Sequence, residues 1–469
     1  MEMIGEIIEG VNGALYGFVL IILLVASGIY FTVRTRFSQF RSLGEQLRAV
    51  TEKPDGKGGV SSFQALTVST ASRVGTGNIV GVASAICLGG FGAVFWMWVI
   101  AIIGGATAFV ESTLAQIYKK RSPGGGYYGG PAYYIEQGLH SRTLGLIFSV
   151  FLILTYGVGF NMLTSYNLQA TFKPYSFYDA TISPWIIGAV TSALVGYCLL
   201  GGGKRIIKTI GVIVPVMGIV YILVALVVSL VNFSALGAVI SGIFANAFDF
   251  KAIFGGFGGS CLLLGVKRGL FSNEAGVGSA PNASAAAEVS HPVKQGLVQV
   301  LSVFIDTLLV CSATAFMCMT SGVDISAVPE RDGAAYVQMA MSATLGKLGP
   351  IFITVTMMLF AFTTILGNFF YVEQCLAYIL GHNPKKIAQI SFKLGAALTV
   401  LFGAVLNAKL LWGIADVTMG LMALINIPVI LILGKYVFRA LDDYEKQRRC
   451  GKSPEFRASE IGLKDTECW

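Results

Sequence analysis

The chain has 469 residues, of which 55% are hydrophobic and only 12% are charged. Together with a mean hydropathy of +0.72, this composition excludes an ordinary soluble protein and indicates an integral membrane protein. The eight cysteines form no Cys-x-x-Cys pair and are interpreted as buried thiols, and the three histidines fall in predicted loops. We therefore expect neither a histidine metal site nor a histidine general base inside the membrane, and we predict that the protein is not an enzyme.

Eleven apolar runs are each long enough to cross about 30 Å of hydrocarbon, which takes about 20 helical residues. They lie near residues 14–33, 65–86, 91–118, 147–170, 185–202, 210–231, 258–289, 295–319, 350–380, 391–407 and 411–434. The pattern predicts an all-α polytopic membrane protein with about eleven transmembrane helices. Residues near 236–250 could add a helix that lies in the membrane interface.

Lysine and arginine concentrate in every second connector between these runs. The basic connectors contain Arg34, Arg36, Arg41, Arg48, Lys53, Lys57, Lys119, Lys120, Arg121, Lys204, Arg205, Lys208, Lys385, Lys386 and Lys393. Because basic loops stay in the cytoplasm, we predict a multi-pass protein of the cell membrane with its N-terminus outside and its C-terminus in the cytoplasm. The net charge of +8 then reflects topology and contact with anionic lipids, not a nucleic-acid partner. The charged residues from about 441 onward are expected to be loosely ordered.

One polar stretch, from Ser69 to Asn78, interrupts the second run. Glycine costs about 1 kcal/mol in a helix interior relative to alanine, and an arginine at the bilayer centre costs about 2.5–3.5 kcal/mol. An unbroken helix is therefore a poor fit, and we predict a break that serves the function. The alternative interpretation is that Gly75 and Gly77 only allow close packing between helices.

A second polar stretch supports the break. When the first run is set aside, ten remain, and the sixth of them contains Gly276-Val277-Gly278-Ser279, which can be laid over Gly75-Thr76-Gly77-Asn78. The two runs cross the membrane in opposite directions, which is typical of two inverted five-helix repeats with discontinuous first and sixth core helices. We predict an extra N-terminal helix with its connector at 1–58, the repeats at 59–231 and 232–436, and a cytoplasmic tail at 437–469.

Broken helices supply the two kinds of group that a zwitterion needs. A half-helix N-terminus exposes N–H groups and positive dipole charge that bind a carboxylate, whereas unwound carbonyls bind a cation or an ammonium group. The sequence therefore favours a small cavity for an amino acid between the two breaks.

Three strings resemble the alanine or glycine:cation symporter family, whose members share the LeuT-type fold. They are the break at 75–78, the string GGFGAVFWMW at 89–98, and the string KRGLFSNEAG at 267–276 with the following GSAP at 278–281. The resemblance extends from about residue 14 to residue 435. It implies sodium-coupled import of a small neutral amino acid, of the alanine or glycine class, by alternating access.

The resemblance also implies the residues of the site. Groups around both breaks and on two further helices would bind the amino acid, namely Thr76, Gly77, Asn78, Phe160, Thr164, Phe271, Ser272, Asn273, Glu274, Gly276 and Asn368. Carbonyls and hydroxyls would bind the coupling sodium ion, namely those of Ala71, Val74, Thr363 and Thr364. Coordination by oxygen alone suits a hard cation. From the residues alone, two adjacent threonines in an apolar helix are more commonly bonded to the preceding turn.

Two positions depart from the pattern of the family. Many members have glutamine at the position of Thr164 and tryptophan at the position of Asn368, so this chain has smaller side chains at both. The change predicts a larger pocket that also accepts a polar amino acid such as glutamine. A proton-coupled amino-acid transporter, and an amino-acid sensor or channel on the same fold, are the alternatives, and we expect a monomer.

Several charged residues lie within the apolar runs, where an unpaired charge is expensive. The repeat correspondence predicts an ion pair between Arg73 and Glu274, and the alternative is that each reaches water separately. Glu111 and Asp306 could serve coupling or proton movement. The alternative for both is a carboxylate satisfied by neighbouring hydroxyl or backbone groups.

Overall fold

The computed structural model describes residues 2–52, 60–122, 125–249, 260–381, 386–463 and 466–469. The sheet in this described part is a short hairpin, in which β1 (Lys120–Arg121) pairs antiparallel with β2 (Tyr127–Tyr128). The basic residues Lys53, Lys57 and Lys385, the domain boundary predicted at 58–59 and the first two residues of the run at 258–289 lie outside the described residues.

Helices make up nearly all of the rest. In chain order they are α1 (Gly5–Arg34), α2 (Ser38–Arg41), α3 (Leu43–Thr51), α4 (Ser62–Arg73), α5 (Gly77–Gly89), α6 (Gly92–Ile117), α7 (Pro131–Leu139), α8 (Arg142–Ala170), α9 (Ser183–Leu200), α10 (Gly202–Val231), α11 (Phe233–Ala247), α12 (Cys261–Asn273), α13 (Pro281–Ala286), α14 (Pro292–Met319), α15 (Gly333–Leu345), α16 (Leu348–Leu380), α17 (Lys386–Gly403) and α18 (Ala408–Arg449). Short 3-10 turns lie at Ile325–Ala327, Pro329–Arg331 and Ala458–Ile461.

Each apolar run of the sequence corresponds to a helix or to a broken helix. In the described chain, eight helices are long and apolar enough to cross a membrane, namely α1, α6, α8, α9, α10, α14, α16 and α18, and the bent pair α4–α5 makes nine. The other two runs are the broken pair α12–α13 and the shorter helix α17. The additional helix near 236–250 is present as α11. The prediction of an all-α polytopic membrane protein is confirmed.

The order of the helices follows the pattern of two five-helix repeats. After α1, the first set of spans is α4–α5, α6, α8, α9 and α10, and the second is α12–α13, α14, α16, α17 and α18. A broken helix opens each set, so the two breaks occupy corresponding places.

Local signals in the sequence determine where the broken helices begin. Ser61 and Gln64 form a capping box before α4, since Ser61 Oγ accepts from the Gln64 amide at 3.1 Å and Gln64 Oε1 accepts from the Ser61 amide at 2.9 Å. Ser260 caps α12 by accepting from the Leu263 amide at 3.2 Å. Pro281 stands in the first turn of α13, where a missing N–H costs nothing.

Small residues pack the broken helices and the helices after them into one body. A Cβ at Gly296 of α14 would lie 2.2 Å from Thr113 Oγ1 of α6, and a Cβ at Gly104 of α6 would lie 2.9 Å from Ala275 Cβ. We call α4–α5, α6, α12–α13 and α14 the four-helix bundle. The close approach of α6 to both its partners packs this part of the bundle tightly.

The ends of the spans that carry the basic connectors form one side of the protein, which we call the basic face. There, Val60 before α4 pairs with Ala287 after α13, and the Glu288 amide donates to the Val60 carbonyl at 2.9 Å. The expectation that residues from about 441 are loosely ordered is wrong. The helix α18 continues to Arg449, and beyond it alternate apolar residues are buried against the basic face.

Candidate functional site

The first break lies between α4 and α5, whose axes differ by 51°. Val74 follows α4 and leaves helical geometry, with ψ of 88°. Asn78 spans the break. Its side-chain Oδ1 accepts from the Gly75 backbone amide at 2.8 Å, and its backbone amide donates to the Gly75 carbonyl at 3.2 Å. The amides of Thr76 and Gly77 stand at the N-terminal end of α5, where no preceding helical turn supplies acceptors. The break thus presents N–H groups at one half-helix and carbonyls at the other.

A threonine of α16 reaches the carbonyls at this break. Thr364 Oγ1 donates to the Ala71 carbonyl oxygen at 2.9 Å and lies 3.5 Å from the Val74 carbonyl oxygen. A Cβ at Gly75 would lie 2.2 Å from Thr364 Oγ1, so glycine is needed here for close approach rather than for a positive φ. Three oxygens from two separate helices therefore gather beside the break.

The neighbouring Thr363 has a different environment. Its hydroxyl donates to the Leu359 carbonyl at 2.9 Å and lies 3.6 Å from Met217 Sδ. This is the bond to the preceding turn that threonines in apolar helices commonly make. Of the four residues named for sodium in the sequence, Thr363 alone points away from the first break.

The second break depends on left-handed backbone. Glu274, Gly276 and Gly278 have φ of 54°, 85° and 87°, a region that glycine enters freely and glutamate rarely does. Two hydroxyls hold Glu274 in this conformation, since Ser72 Oγ donates to its Oε1 at 3.1 Å and Ser279 Oγ donates to its Oε2 at 2.7 Å. Ser72 belongs to α4, so this carboxylate connects the two broken helices.

A second carboxylate, Asp306 of α14, also connects the breaks. Its Oδ1 accepts from Asn78 Nδ2 at 2.6 Å, and its Oδ2 accepts from Ser272 Oγ at 2.6 Å and from Thr307 Oγ1 at 2.7 Å. The side chain is fully buried. Asp306 is thus satisfied by neighbouring polar groups, and two side chains expected to bind substrate, Asn78 and Ser272, hold the framework of the site.

Asn368 of α16 extends this network towards α8. Ser72 Oγ lies 2.7 Å from Asn368 Oδ1, and Asn368 Nδ2 donates to Asn161 Oδ1 at 2.8 Å. Asn273 is also engaged, because its Oδ1 accepts from the Ala275 amide at 3.0 Å. These contacts bring α16, α8 and both breaks together around one polar centre.

Arg73, the last residue of α4, is buried. Only 2% of its surface is exposed, and the side-chain hydrogen bond that it makes within the described part of the chain runs from Nη1 to Gln299 Oε1 at 2.9 Å. No carboxylate of the described residues lies within the 4.0 Å of an ion pair, so the predicted pair with Glu274 is not formed, and the burial keeps Arg73 away from bulk solvent. The left-handed turn at Glu274 directs its carboxylate to the two serines instead. Arg73 acts on Glu274, Glu111 and Asp306 at longer range.

Glu111 of α6 forms hydrogen bonds that stabilise the second break. Its Oε1 accepts from the Gly276 amide at 3.3 Å, and its Oε2 accepts from Asn426 Nδ2 at 2.8 Å. Asn426 also donates to the Gly276 carbonyl at 3.0 Å and accepts from the Tyr134 hydroxyl. The Glu111 carboxylate therefore bonds to the backbone, as one of the two interpretations of the sequence expected, and to an amide side chain, which neither expected; a role in coupling stays a prediction.

Aromatic rings cover the first break. A Cβ at Gly77 would lie 2.6 Å from the Phe271 ring, so the absence of a side chain lets this ring lie against the backbone. The Phe271 ring centroid lies 4.5 Å from that of Phe160 and 5.0 Å from that of Trp412. Thr164, one turn after Phe160 on α8, is buried as well. These residues form an apolar wall beside the polar centre.

An ion pair lies next to this wall, between α12 and the N-terminal part of α18, on the side of the second break that is remote from the basic face. The Arg268 guanidinium makes two bonds of 3.2 and 3.1 Å to the Asp416 carboxylate. It also lies 3.9 Å from the centroid of the Trp412 ring. All fifteen residues named for the site are buried, so the site is closed to solvent in this conformation.

Comparison with known proteins identifies the family. A family model described as the sodium:alanine symporter family matches residues 1–458. The chain belongs to the sodium:alanine symporter family. Two relatives come from Bacillus subtilis (strain 168). The amino-acid carrier protein AlsT is 44% identical over 448 residues, which are 95% of this chain and 94% of AlsT. The probable sodium/glutamine symporter GlnT is 42% identical over 473 residues, which are 100% of this chain and 97% of GlnT.

A solved structure shares the fold of this member of the sodium:alanine symporter family. The crystal structure of MhsT in complex with L-phenylalanine matches with a TM-score of 0.59 at 14% sequence identity. The match covers 88% of this chain and 94% of MhsT. At this identity the similarity concerns the fold alone, and it confirms the LeuT-type fold.

Some residues around this symporter's site were not singled out from the sequence. Asn167 donates from Nδ2 to Thr76 Oγ1 at 3.2 Å, and Asn161 bonds to Asn368. Both belong to a polar string on α8 that also contains Thr164, which is the signal that could have found them. The role of Trp412 has no local signal, because it follows only from the packing of α18 on α12.

Proposed function

We propose that this member of the sodium:alanine symporter family is a secondary active transporter that imports a small neutral amino acid together with sodium by alternating access. The observation that carries the proposal is the meeting of the Thr364 hydroxyl with the carbonyls of Ala71 and Val74 at a helix break. Family membership supports sodium as the coupling ion. The names of AlsT and GlnT support an amino acid as the substrate.

The sodium ion would bind among the three oxygens beside the first break. Hydroxyl and carbonyl oxygens suit a hard cation. On binding, the Thr364 proton would turn away from the Ala71 carbonyl, which frees both oxygens for the ion. Thr363 would join them only if its hydroxyl left the Leu359 carbonyl.

The amino acid would bind between the breaks. The amides of Thr76 and Gly77 would receive its carboxylate, since they stand at a half-helix N-terminus. Its ammonium group would lie on the opposite side of the cavity, next to Ser272 and Glu274. The proposed binding set is completed by Asn78, Phe160, Thr164, Phe271, Asn273, Gly276 and Asn368. Because sodium at Ala71 and Val74 would order the same break, each ligand should increase the affinity for the other.

The range of substrates would follow from Thr164 and Asn368. Both are buried beside the site and smaller than the glutamine and tryptophan of many family members, so a larger polar amino acid such as glutamine would fit besides alanine and glycine. The 42% identity to a probable sodium/glutamine symporter supports this extension.

The orientation of the protein would follow from its charge pattern. The basic connectors support a protein of the cell membrane with its N-terminus outside, its C-terminus in the cytoplasm and anionic lipids at the basic face. We propose that it works as a monomer. The N-terminal helix with its connector would be residues 1–58, the two repeats would be residues 59–231 and 232–436, and the tail would be residues 437–469.

Uptake of radiolabelled alanine into liposomes containing the full chain tests the proposal. We expect accumulation above the external concentration when an inward sodium gradient is present, and none when potassium or choline replaces sodium at fixed pH. Accumulation driven by a proton gradient without sodium would favour proton coupling. Equilibration without accumulation would identify a channel, and binding without flux would identify a sensor.

Competition for this uptake tests the range of substrates. Unlabelled glycine, alanine, serine, glutamine and leucine are each added at the same concentration. We expect glycine, alanine and glutamine to compete. If only glycine and alanine compete, the pocket is not enlarged, although the symport mechanism would stand.

A further inference from the structure

The segment after α18 folds back across the basic face. We call residues 451–463 and 466–469 the tail segment. Its side chains Phe456, Ala458 and Ile461 are only 3–6% exposed. The Phe456 ring lies 5.1 Å from the His291 ring and 5.4 Å from the Trp469 ring, measured between centroids. The tail segment is therefore a packed part of the fold.

One set of contacts attaches the tail segment to the four-helix bundle. The Phe456 amide donates to the Ser290 carbonyl at 3.0 Å, and Ser290 Oγ donates to the Pro454 carbonyl at 2.7 Å, in the connector between α13 and α14. At the end of α6, Trp469 Nε1 donates to the Gln116 carbonyl at 2.8 Å. The tail segment thus binds two parts of the bundle, the end of α6 and the connector between α13 and α14.

Lys119, directly after α6, strengthens this attachment. Its Nζ lies 4.6 Å from the centroid of the Trp469 ring and 4.0 Å from that of Tyr127, and it donates to the Ala287 carbonyl at 3.1 Å. Burial lowers the pKa of the Lys119 ammonium to about 7. Near neutral pH the contact with the two rings therefore depends on packing as well as on charge.

A second set of contacts attaches the tail segment to α18, which lies outside the bundle. Gln447 and Glu455 exchange two hydrogen bonds of 2.7 and 2.9 Å. Further along the tail segment, Arg439 Nη1 donates to the Ile461 carbonyl at 3.0 Å. The segment therefore passes from α18 to the bundle, back to α18 and again to the bundle.

We propose that the tail segment is a latch that holds the four-helix bundle against α18 and keeps the basic face closed. The inference rests on the proposed function, because alternating access requires the bundle to move relative to the helices outside it. Opening of the basic face separates Ser290 and Gln116 from Gln447 and Arg439, so the latch must leave one of its two anchors first. Its release then becomes a step before substrate leaves on that side.

Hydrogen–deuterium exchange of the full chain in liposomes, with sodium chloride on both sides, tests the latch. The amides of α13 and of the first turns of α4 report opening of the basic face. Trp469→Ala removes the hydrogen bond to α6, and Phe456→Ala removes the ring that packs on His291. We call these two, both on the bundle side of the latch, the anchor variants. Glu460→Ala, at an exposed position of the same segment, is the matched control. We expect exchange at these amides to accelerate about fivefold or more in each anchor variant, because Trp469→Ala loses a hydrogen bond and Phe456→Ala loses buried ring packing, and to be unchanged in the control.

The outcomes separate the latch from the proposed function. Unchanged exchange in both anchor variants would overturn the latch, whatever the uptake activity. Faster exchange in the anchor variants, together with no sodium-driven alanine uptake by the unmodified chain, would support the latch and overturn the symport mechanism. If Trp469→Ala does not reach the membrane, Phe456→Ala decides alone.

Discussion

Asn78 in the first broken helix donates a hydrogen bond of 2.6 Å to the carboxylate of Asp306 in α14. This bond fixes which way the amide of Asn78 points, because with Nδ2 on Asp306 its Oδ1 faces the Gly75 amide. The same carboxylate binds Ser272 of the second broken helix. One buried acid therefore sets the geometry of both breaks at once.

Replacement of Asp306 should damage the whole site. In Asp306→Ala, Asn78 and Ser272 lose a buried acceptor, and we expect a loss of about 3 kcal/mol of stability together with loss of alanine uptake. Asp306→Asn keeps one acceptor oxygen, so its stability and its alanine uptake should lie between those of Asp306→Ala and those of the unmodified chain. Thermal unfolding in detergent and uptake in liposomes measure the two effects. An alanine variant with unchanged unfolding would show that Asp306 does not hold the breaks.

The two adjacent threonines of α16 should respond differently to loss of their hydroxyls. Thr364→Val removes an oxygen beside the first break, so we expect the sodium concentration for half-maximal uptake to rise about tenfold. Thr363→Val is the matched control, because its hydroxyl bonds to its own helix, and a change below about twofold is expected. Equal effects in both variants would mean that Thr363 turns towards the ion during transport.

Loss of the ion pair between Arg268 and Asp416 should loosen the side of the site that is remote from the basic face. Both side chains are largely buried, at 11% and 3% exposure, so Arg268→Gln leaves a carboxylate without its partner at a cost of about 3 kcal/mol. We expect faster alanine exchange and lower net accumulation. The double variant with Asp416→Asn should recover part of the accumulation. Lys267→Gln, one residue earlier, is the control.

His291 should make the basic face sensitive to acid. Its Nδ1 accepts from the Val293 amide at 3.2 Å, which caps α14, and its Nε2 lies 3.3 Å from Asp443 Oδ2. Burial lowers the pKa of His291 below its usual 6.5. The folded protein therefore binds this proton more weakly than the unfolded chain, so stability is present above pH 6.5 and is lost as the pH falls through the lowered pKa.

Thermal unfolding at pH 8 and pH 5 measures this effect. His291→Asn keeps a capping oxygen and cannot be protonated, so it should lose less thermal stability between the two pH values than the unmodified chain. The hydrogen bond from His291 lowers the pKa of Asp443, which thus stays ionised in this window. Equal losses in both proteins would exclude His291 as the source.

Much of the fold could be predicted because its signals are local. Long apolar runs and two polar stretches at corresponding positions predicted the helices and the breaks, and the resemblance of three strings to a known family implied the LeuT-type fold. The residues that gather at the breaks were also within reach of the sequence, since Asn78, Ser272, Glu274 and Asn368 belong to or lie near recognisable strings. Many of their partners were not, because the hydrogen bonds that connect α4 and α5 with the second break and with α16 join residues roughly 200 to 300 positions apart.

The sequence by itself indicated that two helices break, because a Gly-x-Gly string beside a charged residue is costly inside an apolar span and recurs at corresponding places of the two five-helix sets. Only the tertiary structure decided what each side chain does there. Adjacent residues of a helix point about 100° apart, so Thr364 faces the break and Thr363 does not. In the same way, Glu274 with its left-handed backbone binds serines instead of Arg73. The charged tail packs on the basic face because Phe456 and Trp469 find partners at His291 and Gln116, which are distant in the sequence.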